Sequence, residues 1–180
     1  MQFKPTPIAG LIEIVPRIFE DERGFFLETY QHKVFAANGI PDLFVQDNQS
    51  FSTKGVLRGL HFQRPPFAQG KLVRVVSGRV LDVAVDLREN SPTFGRHVAV
   101  VLDGRTGNML FVPEGFAHGF LALEDTVLQY KCTNVYDKAS EGGLAWNDPQ
   151  LGISWGVGNP NVSEKDLLLP TLDELLKPSE

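Results

Sequence analysis

The sequence predicts a mainly β domain, a sandwich or small barrel with a few short accessory helices, and three observations carry that prediction. Short segments rich in valine, leucine and phenylalanine recur between turn residues, at 11–18, 24–30, 43–51, 71–77, 79–87, 97–102, 108–112, 118–123 and 126–133. Turn dipeptides punctuate them: Ser77-Gly78 and Asp103-Gly104 tolerate positive φ and read as hairpins. Helical patterning is confined to about 31–38, closed by Gly39 and Pro41, and to a tail at 172–176.

No internal repeat, linker or low-complexity run divides the 180 residues, so residues 1–180 read as one domain. A chain of this size buries roughly 70% of its unfolded surface. Hydrophobic residues at 42% and charged residues at 22% match an ordinary globular composition. The stretch Met1 to Gly10 carries Pro5 and Pro7 and no long apolar run, so neither a signal peptide nor a membrane anchor is expected. A cytoplasmic location follows by default.

A single cysteine, Cys132, excludes an intrachain disulfide framework and a thiolate zinc site, and reads as a small buried hydrophobe. A formal net charge of −5 argues against a general nucleic-acid binder. It leaves room for a small phosphorylated ligand, because a local arginine or lysine fork acts through geometry rather than net charge. In the segment 79–87, Asp82 and Asp86 share one face of an apolar strand. Lone aspartates are rarely buried, so that face reads as exposed; if it lines a barrel instead, Asp82 is placed to orient a histidine.

Two histidine-centred motifs carry the strongest local chemistry. Gly55-Val-Leu-Arg-Gly-Leu-His61, followed by Gly107-x5-Pro113-x-Gly115-x2-His118, resembles the paired signatures of the cupin superfamily, which implies a cupin-like double-sheet jelly roll. The departures from the metal-binding form of that pattern are informative. Phe62-Gln63 stands where a second histidine belongs, and no glutamate follows before Lys71. Most metal sites need at least three protein ligands converging at about 2 Å, so His61 and His118 alone imply no metal.

A histidine without a metal titrates near neutral pH and suits general-base work. Arg58 lies three residues before His61, Lys71 follows a Pro65-Pro66 loop, and Tyr130-Lys131 sits in a strand-like segment. Taken singly, such charges read as a solvated rim and the tyrosine as a core anchor. Strand alternation pairs His61 with Gln63 and sends Arg58 to the opposite face, so Arg58 needs a bulge or a strand end to join His61.

Longer strings are more specific. Asp21-Glu22-Arg23-Gly24-Phe25-Phe26, Gln46-Asp47-Asn48, Leu57-Arg58-Gly59-Leu60-His61-Phe62-Gln63, Gln69-Gly70-Lys71-Leu72-Val73-Arg74, Pro113-Glu114-Gly115-Phe116-Ala117-His118-Gly119-Phe120 and Tyr130-Lys131-x-Thr133 are similar to the dTDP-4-dehydrorhamnose 3,5-epimerase family. So is the loop Ser91-Pro92-Thr93-Phe94-Gly95, and the resemblance spans nearly the whole chain.

The resemblance implies an isomerase that inverts C3 and C5 of a dTDP-linked 4-keto-6-deoxy hexose without a cofactor. It makes His61 the proton acceptor, Asp166 its support, Tyr130 the proton donor and Lys71 the neighbour of the developing enolate oxygen. Arg23, Glu28, Gln46, Asp47, Asn48, Arg58, His118, Glu141 and Lys165 match substrate-contacting positions, and Tyr136 would stack on thymine. It also implies a homodimer with an exchanged N-terminal strand, through which Arg23 and Glu28 reach the partner's site. Without the resemblance, Glu164-Lys165-Asp166 reads as a solvated charge cluster, Glu28 and Glu141 as surface carboxylates, and Arg23 as a surface ion pair.

The chemistry suits these residue types, because a C4 ketone acidifies the protons at C3 and C5. A positioned base supplies roughly 10²–10⁴-fold, and a preorganised donor to the oxyanion is worth on the order of 3–4 kcal/mol. The presence of Tyr130 favours inversion at both carbons. Competing readings are a 3-epimerase or 3,4-ketoisomerase on the same nucleotide sugar, a non-catalytic sugar-nucleotide binding module, and a metal-dependent cupin oxygenase.

Overall fold

A computed structural model describes residues 1–177 of the chain. In chain order its strands are β1 (Gln2–Pro5), β2 (Ile12–Val15), β3 (Ile18–Asp21), β4 (Gly24–Leu27), β5 (Gln46–Ser52), β6 (Val56–Gln63) and β7 (Lys71–Ser77). They continue with β8 (Arg79–Asp86), β9 (His97–Asp103), β10 (Met109–Val112), β11 (Phe116–Ala122), β12 (Thr126–Cys132), β13 (Glu141–Gly143) and β14 (Asn161–Val162). Three short helices accompany them: α1 (His32–Ala37), α2 (Glu164–Leu167) and α3 (Leu172–Leu175).

One sheet has the order β1-β2-β10-β7-β12-β5 and the other β13-β6-β11-β8-β9, with β14 added in parallel to β6. The β3-β4 hairpin belongs to neither sheet. This is the cupin-like double-sheet jelly roll. Between the sheets, Val73 and Val75 of β7 and Leu110 and Val112 of β10 pack against Val80, Ala84, Phe116 and Phe120 of the facing strands.

Both sheets are also covered on their outer faces. Phe35 of α1 and Ile40 cover Leu72, Met109 and Phe111 of the first sheet, while Leu144, Leu151, Trp155 and Leu172 cover Leu57, Val83, Val85, Ala117 and Leu121 of the second. Strands buried on two sides read as nearly continuous apolar runs, which is the texture of 71–77 and 79–87.

That double burial corrects the reading of the two strand aspartates as exposed. Asp82 and Asp86 share the inward face of β8 with Val80 and Ala84, and both are fully buried. The fold tolerates them because each is partnered. Asp86 accepts from Arg88, Ser91 and Thr93 at 2.6–2.8 Å, and Asp82 faces His118 Nε2 at 2.9 and 3.0 Å.

The two expected hairpins are also corrected. Ser77-Gly78 joins β7 to β8 and Asp103-Gly104 joins β9 to β10, and in each case the strands lie in different sheets. These turns are corners rather than hairpins, and they stack: Gly104 N donates to Gly78 O at 3.0 Å. Gly78 has φ +84, and a Cβ there would meet Asp125 O at 2.3 Å, so close approach of the chain demands glycine.

The segment 11–18 divides into β2 and β3 around Pro16, and β5 starts at Gln46 rather than 43. Helix α1 keeps the expected limits, with Gln31 as N-cap and Asn38 as C-cap. Helix α3 begins at Leu172 behind a Thr171–Glu174 capping box. Helix α2 and the strand β6 that carries His61 lie outside the predicted elements. Among the described residues no helix is long and apolar enough to cross a membrane.

Candidate active site

The site starts from a break in the β6-β11 ladder. His61 pairs with His118 and Arg58 with Phe120, so Gly59 and Leu60 together stand opposite Gly119 alone. An extra residue of this kind is a β-bulge, and it inverts the alternation that would otherwise send Arg58 away from His61. Gly59 has φ +117, and a Cβ there would fall 2.6 Å from Gly119 Cα. Only glycine fits.

The bulge also turns the Gly59 N–H out of the ladder, where it donates to Asp166 Oδ2 at 3.1 Å. Asp166 arrives from helix α2, whose N-cap Ser163 accepts from Asp166 N at 3.2 Å. Its second oxygen, Oδ1, lies 2.7 Å from His61 Nε2. The Asp166 side chain is 5% exposed and that of His61 32% exposed, so a buried carboxylate stands behind an accessible imidazole. With Nε2–H donated to Asp166, Nδ1 keeps a free lone pair.

These groups line a cavity of about 350 Å³ between the sheets. Arg58, His61 and His118 reach it from the second sheet, Lys71 and Tyr130 from the first, and Ser163, Lys165 and Asp166 from α2 and its cap. Lys71 Nζ sits 6.0 Å from the Tyr130 ring centroid. The His61 imidazole and the Tyr130 phenol thus occupy facing walls.

Electrostatics follow from burial. Desolvation lowers the His61 pKa below its ordinary value, against the pull of Asp166, and Lys71 pushes the same way as burial. Burial likewise lowers the Lys71 pKa and raises that of the Tyr130 phenol. The histidine is therefore biased to its neutral form and the tyrosine to its protonated form. An acceptor on one wall, a donor on the other and an ammonium beside them suit proton removal and return next to a carbonyl.

The remaining sequence candidates divide into three groups. Arg58 donates to Ser52 Oγ and Phe51 O at 3.0 and 3.1 Å at the cavity edge. Tyr136 and Glu141 lie outside it and are tied to its lining residue Lys165: the Tyr136 hydroxyl donates to Glu141 at 3.2 Å and Lys165 Nζ to Glu141 at 2.7 and 2.8 Å. Burial opposes the charge of Glu141, but Lys165 and Tyr136 outweigh it and hold its pKa below the ordinary carboxylate value. Gln46 accepts from Tyr136 N at 3.0 Å and donates to Asn48 at 3.1 Å, tying β5 to this chain.

Asp47 alternates to the other face of β5, where it pairs with Lys131 at 2.9 Å. Arg23, on the β3-β4 hairpin, pairs with Asp21, and neither it nor Glu28 lines the cavity of its own chain. Residues that the sequence reading left out include Gly59, Ser163, Ser50, Phe120 and Leu128. One signal was available: Ser163-x-x-Asp166 spells a helix N-cap followed by an acidic third residue. Among the described residues no group of three or more His, Cys, Asp or Glu side chains is arranged to hold a metal ion.

A family profile described as dTDP-4-dehydrorhamnose 3,5-epimerase matches residues 5–174. The chain belongs to this family. It is 52% identical over 164 residues to the dTDP-4-dehydrorhamnose 3,5-epimerase of Shigella flexneri, covering 90% of this chain and 91% of that one. The enzyme of that name from Elizabethkingia anophelis superposes with a TM-score of 0.93 at 46% identity, covering 97% of both chains. The dTDP-6-deoxy-D-glucose-3,5-epimerase of Legionella pneumophila, solved with dTDP-4-keto-L-rhamnose, gives 0.92 at 46% identity, covering 99% of this chain and 98% of that one.

A 3′-monoepimerase from Streptomyces bikiniensis, 34% identical with a TM-score of 0.89 over 95% of this chain and 87% of that one, was solved with a histidine and a tyrosine replaced.

Proposed function

We propose that this chain inverts C3 and C5 of dTDP-4-dehydro-6-deoxy-D-glucose to give dTDP-4-dehydro-L-rhamnose, in dTDP-L-rhamnose biosynthesis. The observation that carries the mechanism is the His61–Asp166 pair at 2.7 Å, facing Tyr130 across one cavity. The neutral Nδ1 of His61 takes the proton from the carbon next to the ketone. Asp166 holds the ring orientation and stabilises the imidazolium that forms. Lys71 places its ammonium toward the enolate oxygen, and Tyr130 returns a proton from the opposite wall, which inverts the centre. No cofactor takes part in this scheme.

The nucleotide handle holds the sugar while each carbon reacts. Arg58 and His118 take the diphosphate side, and Tyr136 offers its ring to thymine, with Glu141, Lys165, Gln46 and Asn48 around it. Asp47 acts at most through its neighbours, since Lys131 occupies its carboxylate.

We further propose a cytoplasmic homodimer. The β3-β4 hairpin exposes Phe19, Phe25 and Phe26 at 49%, 67% and 68%, a concentration of aromatic surface that a second copy would cover. Arg23 lies among them and, with Glu28, would complete the partner's site. Solution mass and an Arg23→Ala variant test this: a fully active monomer removes it.

The test of the reaction is incubation of the 4-keto-6-deoxy sugar nucleotide in deuterated water, followed by NMR. Deuterium at both C3 and C5 of an inverted product, lost in His61→Ala, is the expected result. Deuterium at C3 alone makes the chain a 3-epimerase, and no exchange by the wild-type protein overturns the proposal.

A further inference from the structure

Gln63 is a buried polar side chain that the mechanism does not use. It lies two residues beyond His61 on β6, at 8% exposure, where a metal-binding cupin pattern places a histidine. Its hydrogen bonds all reach out of the strand. Gln63 Nε2 donates to Phe67 O at 2.6 Å and to Val135 O at 3.1 Å, while its Oε1 accepts from Asp137 N at 2.8 Å. The amide therefore uses both donor hydrogens and its acceptor.

The residues it grips flank Tyr136. Val135 and Asp137 are the chain neighbours of that ring, so Gln63 fixes the backbone on both sides of it. A second glutamine works in parallel: Gln69 Nε2 donates to Asn134 O at 2.7 Å, and Asn134 Nδ2 returns a bond to Pro66 O at 3.1 Å. Together these bonds staple the loop between β6 and β7 to the segment that leaves β12. Tyr136 is 54% exposed and pairs with no other aromatic ring among the described residues, so its placement depends on the backbone beneath it.

We propose that Gln63, assisted by Gln69, is a positioning residue that pre-organises the Tyr136 platform, and so sets affinity for the nucleoside diphosphate handle rather than the rate of proton transfer. The inference rests on Tyr136 binding the base, as proposed above. A loop fixed before binding does not lose its freedom on binding, which is where the affinity comes from. His61 lies on the same strand but takes its orientation from Asp166, so turnover is insulated from the staple.

The test measures dTDP binding by calorimetry and kcat and KM with the sugar nucleotide. Gln63→Met keeps the side-chain length and removes all three bonds. It is expected to weaken dTDP binding and raise KM by on the order of tenfold, while kcat changes less than threefold. Gln69→Met, nearer the surface, is expected to act in the same direction and more weakly; it decides the matter if Gln63→Met does not fold.

A double-mutant cycle separates this role from general support. If the staple acts through the ring, the Gln63→Met/Tyr136→Ala protein binds dTDP no worse than Tyr136→Ala alone. Full additivity of the two losses, or a fall in kcat matching the rise in KM, overturns the proposal. If Tyr136→Ala itself leaves dTDP affinity unchanged, the platform reading fails instead, and the two failures are distinguishable.

Discussion

Two histidine–carboxylate pairs face each other across the β6-β11 ladder, and they differ in everything except composition. His61 and His118 are direct cross-strand partners, and each puts Nε2 within 3.0 Å of an aspartate oxygen. The side chain of His61 is 32% exposed and its aspartate comes from α2, far along the chain. That of His118 is 8% exposed, and its aspartate comes from the adjacent strand β8 at 0%. His61 stands half open to the cavity and is held by a helix end; His118 also lines the cavity but is nearly enclosed, with its aspartate shut inside the sheet. The more open pair suits proton exchange and the more enclosed one a fixed contact to the ligand, because the two differ in exposure.

Replacing the two histidines is the largest test of that contrast. His61→Ala is expected to lower kcat about 10⁴-fold, the upper range for a positioned base, whereas His118→Asn is expected to lose on the order of tenfold, mainly in KM. Equal losses in kcat would show that both histidines exchange protons.

The aspartates should divide in the opposite sense. Asp166→Asn keeps one acceptor oxygen but sets an amide N–H against either Gly59 N–H or the His61 ring and removes the charge behind the imidazolium, so kcat should fall by up to about 10⁴-fold, a larger effect than that on stability. Asp82→Ala leaves a buried histidine without its partner and should cost about 2 kcal/mol, a Tm drop of roughly 4–8 °C. A thermal melt and a rate measured on each variant check both. A larger Tm loss for Asp166→Asn than for Asp82→Ala would dissolve the distinction.

The smallest expected effect is on the pH profile. Burial places the His61 pKa below its ordinary 6.5, and the imidazole accepts a proton only when neutral. The acid limb of kcat/KM should therefore have its midpoint below 6.5, with activity lost as pH falls through it. Asp166→Asn removes an influence that raises the pKa, so the limb should move further toward acid. On the alkaline side Lys71 must stay charged, and burial lowers its pKa from 10.5, so that limb should lie below 10.5 and survive in Tyr130→Phe. A midpoint above 6.5 would be incompatible with a buried His61 as the base.

Legibility in the sequence follows the range of the interaction concerned. Strands β7 to β12 were readable because each is an apolar run bounded by glycine, asparagine or aspartate, and α1 and α3 because their caps are local. Strand β6 was not, since Arg58 and Gly59 interrupt its pattern for the sake of the site. The corners at Gly78 and Gly104 looked like hairpins because a turn dipeptide reports a reversal of the chain, not the sheet to which the next strand belongs.

By itself, then, the sequence determined a β architecture, the two histidines, the glycines that flank them, and the likeness to one epimerase family through long motif strings. Only the tertiary structure decided that Asp82 and Asp86 are buried, that a bulge at Gly59 turns Arg58 and His61 to the same side, and that Asp166, which the sequence singled out through the family likeness alone, lies 2.7 Å from His61. The physical reason is that burial and hydrogen-bond partnership depend on what the rest of the chain brings alongside. For Asp166 the partner His61 is more than a hundred residues away, beyond the reach of any local pattern.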